Sequence, residues 1–408
     1  MRDSPCWVTG TAVVRPSRGA LADLINPVPA AAFERDNWEK QQLIVHRDDP
    51  GYYRDLLTLA DFDQILSSTS LHAPELMIVS GGQRTPSGHL AGRGADTCRG
   101  IEPLYEQYRD GATILLTYLH ERWAPLGRLC AGLAEEITAT VSVNAYLTPA
   151  GAQGFDAHFD THDVFVAQVH GSKHWRMYGS PIRLPLRDEH YEPPDGGPGK
   201  PDQEFDLRAG DLMYLPRGTV HEATSGGEAS LHLTIGVAPM LWAGALHGVI
   251  DRAARQHAEL RESLPFGFGT VPERQHAART QLTELATCLF TEVAAHAVIA
   301  EAGRRASQRC LPVPAGRLTD LEALRSVGPS TPVRHRGGPR PALTISDHVA
   351  TLELHGKTIR FPARVAPQLS YVIGTPGFTA RDIPGPLDEA GRMVLVSTLV
   401  SEGLLTFA

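Results

Sequence analysis

The sequence predicts an α+β fold: a strand-rich unit over residues 1–240, a helical region over 241–326, a linker over 327–341, and a small domain of hairpin and helices over 342–408. Three observations predict it. Apolar runs such as Val164–Val169, Met213–Leu215 and Leu231–Val237 are bounded by Gly, Asp and Pro, the punctuation of strands and turns. Leu282, Leu285, Leu289 and Val293 recur at helical steps, with alanines between them that suit close helix packing. Finally, Leu352-Glu353-Leu354 and Ile359-Arg360-Phe361 flank Gly356 in a hairpin-like alternation. Helical patterning from Leu387 to Val400 follows, ended by Gly403, and then a short strand over Leu404–Phe407.

The remaining elements follow in order. Phe33–Lys40 reads as helical, and a second helix carries Leu126, Leu129, Leu133 and Ile137 on one face. The Pro-, Gly- and Asp-rich stretch Arg187–Gln203 interrupts the strands before the turn at Gly210-Asp211. It is either a surface excursion or a lid over a site. Val327–Pro341, rich in Pro, Gly and Arg, reads as the linker.

Composition narrows the class. A chain of 408 residues has room for two or three domains, and 42% hydrophobic with 21% charged residues is ordinary for a soluble globular protein. No window approaches 18 uninterrupted apolar residues, so no membrane span is expected. Met1-Arg2-Asp3-Ser4-Pro5-Cys6 lacks a signal pattern. Five cysteines (6, 98, 130, 288 and 310) include no Cys-x-x-Cys pair, which argues against a disulfide framework or zinc knuckle and for a reducing, cytoplasmic location. Net charge −8 favours basic partners over polyanions. Residues 315–408 carry 10 Lys+Arg against 8 Asp+Glu, a balance of +2, which is not the footprint of a nucleic-acid reader.

One motif carries chemistry. His158-Phe159-Asp160 is answered by His221, at the end of a Gly210-Asp211…Pro216-Arg217-Gly218 segment. Residues i and i+2 of a strand share a face, so His158 and Asp160 can grip one ion, with His221 brought alongside by sheet closure. Two histidines and a carboxylate hold Fe(II) while leaving coordination positions open for O2 and a chelating co-substrate. A second copy, His46-Arg47-Asp48, runs into Asp49-Pro50-Gly51 and is most simply a solvated turn.

The surroundings of His158 carry a resemblance. Asn144-Ala145-Tyr146-Leu147-Thr148-Pro149, Gln153-Gly154-Phe155, Asp163–Val169, Gly171–Tyr178 and Leu231–Ile235 together resemble a Jumonji-C oxygenase, and more closely its ribosomal oxygenase (cupin-4) branch. The resemblance is dense over residues 140–240. It implies a double-stranded β-helix (jelly roll), Fe(II) on His158, Asp160 and His221, and 2-oxoglutarate as co-substrate. Lys173 would pair with the distal carboxylate, Asn144 and Thr234 would contact the co-substrate, and Tyr146 would lie near co-substrate or substrate. It also implies hydroxylation of a protein or peptide side chain, ribosomal proteins being the typical target, a homodimer formed through the helical region, and a winged-helix terminal domain.

Two of these residues also stand out unaided. The chain has 34 Arg and 4 Lys, so a lysine between Val164–Val169 and Trp175 calls for a reason; an ammonium on a flexible stem suits a buried carboxylate. The alternative is a surface hairpin lysine beside Gly171-Ser172. Leu231, Leu233, Ile235 and Val237 take one face of their strand and leave His232 and Thr234 on the other, lining a cavity or solvent. Of the other histidines, His162, His170 and His174 read as solvated, structural or supporting residues; His232 is the best candidate to support the site, and His162 could bear on substrate preference. Other readings stay open: a tailoring hydroxylase of a ribosomally made peptide, a non-oxygenase cupin with another metal, and a DNA-associated regulator.

Overall fold

The computed structural model describes residues 19–68, 74–86, 101–292, 295–309, 313, 315–338 and 340–408. Cys6, Cys98, Cys310, Val293 and the N-terminal hexapeptide lie outside the described residues.

The first unit opens with helices α1 (Ala20–Ile25) and α2 (Ala30–Asp36), strand β1 (Leu43–Val45), helix α3 (Leu59–Ser68) and strands β2 (Leu76–Ser80) and β3 (Gln83–Pro86). Helix α4 (Glu102–Arg109), strand β4 (Thr113–Leu116) and helix α5 (Ala124–Ile137) lead into the strands that build the site. These are β5 (Ala139–Thr148), β6 (Asp163–His170), β7 (Ser172–Met177), β8 (Gln203–Arg208), β9 (Leu212–Leu215), β10 (His221–Ser225) and β11 (Ser230–Pro239). They form an eight-stranded sheet, β1-β9-β6-β11-β5-β4-β2-β3, and a three-stranded sheet, β10-β7-β8, with antiparallel pairing throughout. This is the expected jelly roll.

Alternation decides which face each sheet offers. On β5, Val141, Val143, Ala145 and Leu147 join Leu231, Leu233, Ile235 and Val237 of β11 in the core under α5, where Leu126 and Leu133 are fully buried. Burial of each such side chain contributes roughly 1.5–3 kcal/mol. The opposite face carries Ser142, Asn144, Tyr146 and Thr148, and it faces the smaller sheet. Between the sheets, Val164, Val166, Trp175, Met177, Leu207 and Met213 close one end of the roll.

Beyond β11 lie helices α6 (Trp242–Gln256), α7 (Pro272–Glu292), α8 (Ala295–Arg309) and α9 (Arg317–Ala323). Strands β12 (Val333–His335), β13 (Ala342–Ile345), β14 (Val349–Leu354) and β15 (Lys357–Pro362), helix α10 (Ala366–Gly374), strand β16 (Gly377–Phe378), helix α11 (Glu389–Glu402) and strand β17 (Leu405–Phe407) complete the chain. The segment read as a linker carries β12, which pairs with both β16 and β17. Val333 is buried there, and Arg336 forms a buried ion pair with Asp320 of α9. Local Pro and Gly content masked a strand whose partners lie about 45 and 70 residues downstream. Leu282, expected inside a helix packing, is 67% exposed.

Candidate metal centre and its cavity

His158 and Asp160 do not sit on a regular strand. The chain from 153 to 162 crosses from the smaller sheet to β6 and keeps only isolated bridges, Gln153 with Thr224, Phe155 with Gly82, and His158 with His221. The bridge between His158 and His221 aligns two of the three candidate ligands. His158 N donates to His221 O at 3.1 Å and His221 N to His158 O at 2.8 Å, so the two residues stand directly opposite and share a face. Their rings lie 4.6 Å apart, and His221 Nε2 is 4.0 Å from Asp160 Oδ2. One ligand atom from each of the three residues lies within 4.8 Å of the others.

Both imidazoles are oriented by backbone. His158 Nδ1–H donates to Asp156 O at 2.8 Å and His221 Nδ1–H to Thr219 O at 2.9 Å, which leaves each Nε2 as a lone-pair donor. Burial, and then the neighbouring His158, push His221 down to about 4, keeping it neutral. Burial opposes ionisation of Asp160, but His162, His158, His221 and Arg84 outweigh it and hold the carboxyl below its usual range. Two neutral imidazoles and a carboxylate are a donor set for a divalent cation. Gly218 N donates to Asp160 O at 3.0 Å; Gly218 has φ +89°, and a Cβ there would meet Ile182 O at 2.3 Å. Only glycine serves this turn.

The cluster opens into a cavity of about 570 Å³ whose far end is lined by Lys173, Thr113, Asn144 and Thr234. Lys173 is 3% exposed; its Nζ donates to Thr148 Oγ1 at 3.2 Å, and Thr113 donates to the same oxygen at 3.0 Å. No carboxylate pairs with it among the described residues, and burial pushes its ammonium down to about 7. Two more buried groups beside it, Trp175 Nε1 and His232 Nδ1, have no hydrogen-bond partner. His232 stacks on Tyr146, 4.8 Å between centroids at 2°, and burial, with Lys173 and His221 nearby, holds it neutral. Asn144 stands opposite Thr234, and Tyr146 opposite His232, across β5 and β11. Asn144 Oδ1 accepts from Tyr118 N at 3.1 Å, and Tyr118 takes a left-handed φ of 52° at the cavity wall.

All seven residues singled out in the sequence (His158, Asp160, His221, Lys173, Asn144, Thr234 and Tyr146) therefore line one cavity. Thr148, Thr113, Trp175 and Tyr118 were missed; only Thr148 and Trp175 had a signal, the two-residue alternation with Asn144–Tyr146 and with Lys173. His162 lines the cavity and fits because Gly236 has no side chain, a Cβ there lying 2.6 Å from the ring. His174 points outward and bonds Asp206 at 2.8 Å and Glu204 at 3.1 Å. The stretch Arg187–Gln203 contributes Arg187, Glu189, His190 and Tyr191 to the cavity wall, with Tyr191 packed on Phe159. His46-Arg47-Asp48 is not a plain turn: His46 Nδ1 and Arg47 N both reach the Asp211 carboxylate, and the Arg47 guanidinium bonds Leu24 O, Gly210 O and Tyr53 OH.

Residues 119–243 match the JmjC domain model. A bifunctional lysine-specific demethylase and histidyl-hydroxylase NO66 of Aedes aegypti is 30% identical over 319 residues, 72% of this chain and 49% of that one. Ribosomal oxygenase 1 of Gallus gallus is 33% identical over 59% of this chain and 41% of its own. The chain thus spans about half the length of the curated relatives it matches. The Escherichia coli ribosomal oxygenase YcfD superposes with TM-score 0.54 at 16% identity, covering 93% of this chain and 98% of YcfD. Another YcfD structure, with TM-score 0.52, is a complex with cobalt and 2-oxoglutarate. With the domain match enclosing the whole cluster from His158 to His221, residues 119–243 of this chain are a JmjC domain.

Proposed function

We propose that this chain is an Fe(II)- and 2-oxoglutarate-dependent oxygenase that hydroxylates a side chain of a protein or peptide, with a ribosomal protein as the substrate class. Lys173 carries the reading. A buried ammonium without a carboxylate partner costs stability, so its retention calls for an anionic ligand. It stands in the same cavity as the His-Asp-His cluster, alongside two more unpartnered buried groups, Trp175 Nε1 and His232 Nδ1.

His158, Asp160 and His221 would hold the metal. Lys173, backed by Thr148, would hold the distal carboxylate, with Asn144, Thr234 and Tyr146 along the side of the co-substrate. When bound, the iron and 2-oxoglutarate supply oxidising power from O2, with decarboxylation to succinate. The protein's own work is placement: the loop wall at Arg187 and Tyr191 and the histidine at 162 would hold the target C–H bond toward the metal and keep water out. The names of the ribosomal oxygenase relatives and the cobalt and 2-oxoglutarate complex of YcfD support this reading.

The test is succinate release from 2-oxoglutarate, stimulated by ribosomal protein extract, together with mass spectrometry of ribosomal proteins from a deletion strain. The expected result is loss of one oxygen atom's mass from a ribosomal peptide. A loss confined to a small non-ribosomal peptide would favour the tailoring role, and succinate formation independent of protein would sink both.

We also read the chain as a cytoplasmic homodimer whose terminal domain is a winged helix with no DNA role. No helix among the described residues is long and apolar enough to cross a membrane. Trp242, Leu246 and Ile250 recur every fourth residue on the outer face of α6, 76%, 44% and 47% exposed. Such an exposed apolar stripe supports a contact surface there. Leu246→Arg with Ile250→Arg is expected to convert a dimer to a monomer in light scattering with 2-oxoglutarate binding intact; a wild-type monomer at micromolar concentration would overturn this.

A further inference from the structure

A buried ionic clamp ties together the two segments that carry the His-Asp-His cluster. We propose that Arg217, acting with Asp163 and Glu39, is a positioning residue that fixes the spacing of the metal-holding side chains, an inference that rests on the metal assignment above. Asp163 opens β6 three residues beyond Asp160, and Arg217 lies in the turn four residues before His221. Arg217 Nη1 donates to Asp163 Oδ2 at 2.7 Å and to Glu39 Oε1 at 2.5 Å. Tyr214 OH donates to Asp163 Oδ1 at 2.8 Å and accepts from Glu39 N at 2.9 Å, which closes the ring. Asp163 is 0% and Arg217 6% exposed. Glu39 takes a left-handed φ of 56°, costly for a side-chain-bearing residue, and that conformation presents both its carboxylate and its N–H to the clamp.

Stability alone is a weak reason to keep such a group. Desolvation makes a buried ion pair no better than well-packed apolar residues, whereas charged hydrogen bonds impose a geometry that apolar contacts do not. The links outward from Arg217 are short. Gly218 N holds Asp160 O at 3.0 Å, Thr219 Oγ1 holds Pro216 O at 2.8 Å, and Thr219 O orients the His221 ring at 2.9 Å. A shift of the 216–219 turn therefore moves one ligand through its ring and another through its carbonyl. Glu39 brings the N-terminal Phe33–Lys40 segment into the same device, which the catalytic reading leaves without a task.

Cobalt(II) titration followed by visible absorption tests this, because the bands report ligand geometry and no turnover is needed. Arg217→Met and Arg217→Lys are expected to weaken Co(II) binding about tenfold or more and to shift the bands, with circular dichroism retained. Glu39→Gln, which keeps the fold if Arg217→Met does not, is expected to weaken binding a few-fold. Arg47→Met supplies the control, since it removes the guanidinium bonds to Gly210 O, Leu24 O and Tyr53 OH and lowers thermal stability without touching the ligand segments. Folded Arg217 and Glu39 variants with wild-type affinity and spectrum overturn the proposal, as does an equal loss in Arg47→Met. Failure of the metal assignment itself looks different: wild-type protein would bind no Co(II), or His158→Ala would bind it equally well.

Discussion

Lys173→Met is expected to make the free protein more stable and to abolish use of 2-oxoglutarate at ordinary concentrations. Methionine approximates the lysine stem in volume, so the wall between β7 and β5 keeps its packing while the buried charge disappears. In the free protein the ammonium is pushed from 10.5 down to about 7 by burial alone. At about 1.4 kcal/mol per pKa unit this depression costs a few kcal/mol near neutrality, and the variant regains it. The unfolded chain binds the extra proton between pH 7 and the ordinary lysine range, so wild-type stability rises with pH across that window. The variant loses that slope, and calorimetry from pH 6 to 10 checks it.

Binding moves the other way. Removing one partner of a buried charge pair costs ~2–5 kcal/mol, which predicts a KM for 2-oxoglutarate raised by roughly two orders of magnitude. In the wild type the protonated lysine is the binding form. The KM is therefore expected to be flat below pH 7 and to climb up to about tenfold per unit above it. A variant that is destabilised, or that keeps a wild-type KM, would remove Lys173 from the co-substrate end of the cavity.

The strands were legible because they write their faces in alternation, whereas the jelly roll and the roles of its site residues came from the resemblance to Jumonji-C oxygenases. The apolar set Leu231, Leu233, Ile235 and Val237 placed His232 and Thr234 together on the opposite face, toward a cavity or solvent, and they line the cavity. Helix α5 was legible from Leu126 to Ile137 for the equivalent reason at helical period. What stayed hidden depends on partners distant in sequence. His158 was read as a strand residue, yet its position comes from one bridge to His221 across 63 residues. Arg217 looked like one arginine among 34, because Glu39 lies 178 residues away. The strand at Val333–His335 was obscured by its Pro and Gly neighbours, and the His46 copy of the motif looked idle because Asp211 is 165 residues on. Short motifs announce donor atoms; the contacts that aim them are long-range and leave no local pattern.

Asp160→Asn is expected to remove metal binding while leaving the fold, which makes it the complement of Lys173→Met. Asparagine keeps the shape of the side chain, and the backbone bond from Gly218 N to the residue-160 carbonyl is untouched. What is lost is the only carboxylate in a cluster otherwise made of two imidazoles. A neutral amide oxygen is a far poorer partner for a divalent cation than an ionised oxygen, so Co(II) affinity should fall beyond detection and succinate release with it. The two variants then separate the two ends of the cavity. Added metal should raise the Tm of wild type and of Lys173→Met, but not of Asp160→Asn. Added 2-oxoglutarate, with metal present, should raise the Tm of wild type alone, since one variant lacks the metal to chelate and the other lacks the cation at the far end. Tight Co(II) binding by a folded Asp160→Asn protein would place the ion outside the His158–Asp160–His221 cluster. Without an ion at the His158–Asp160–His221 end, an oxygenase mechanism in this cavity would have no centre at which O2 could be activated.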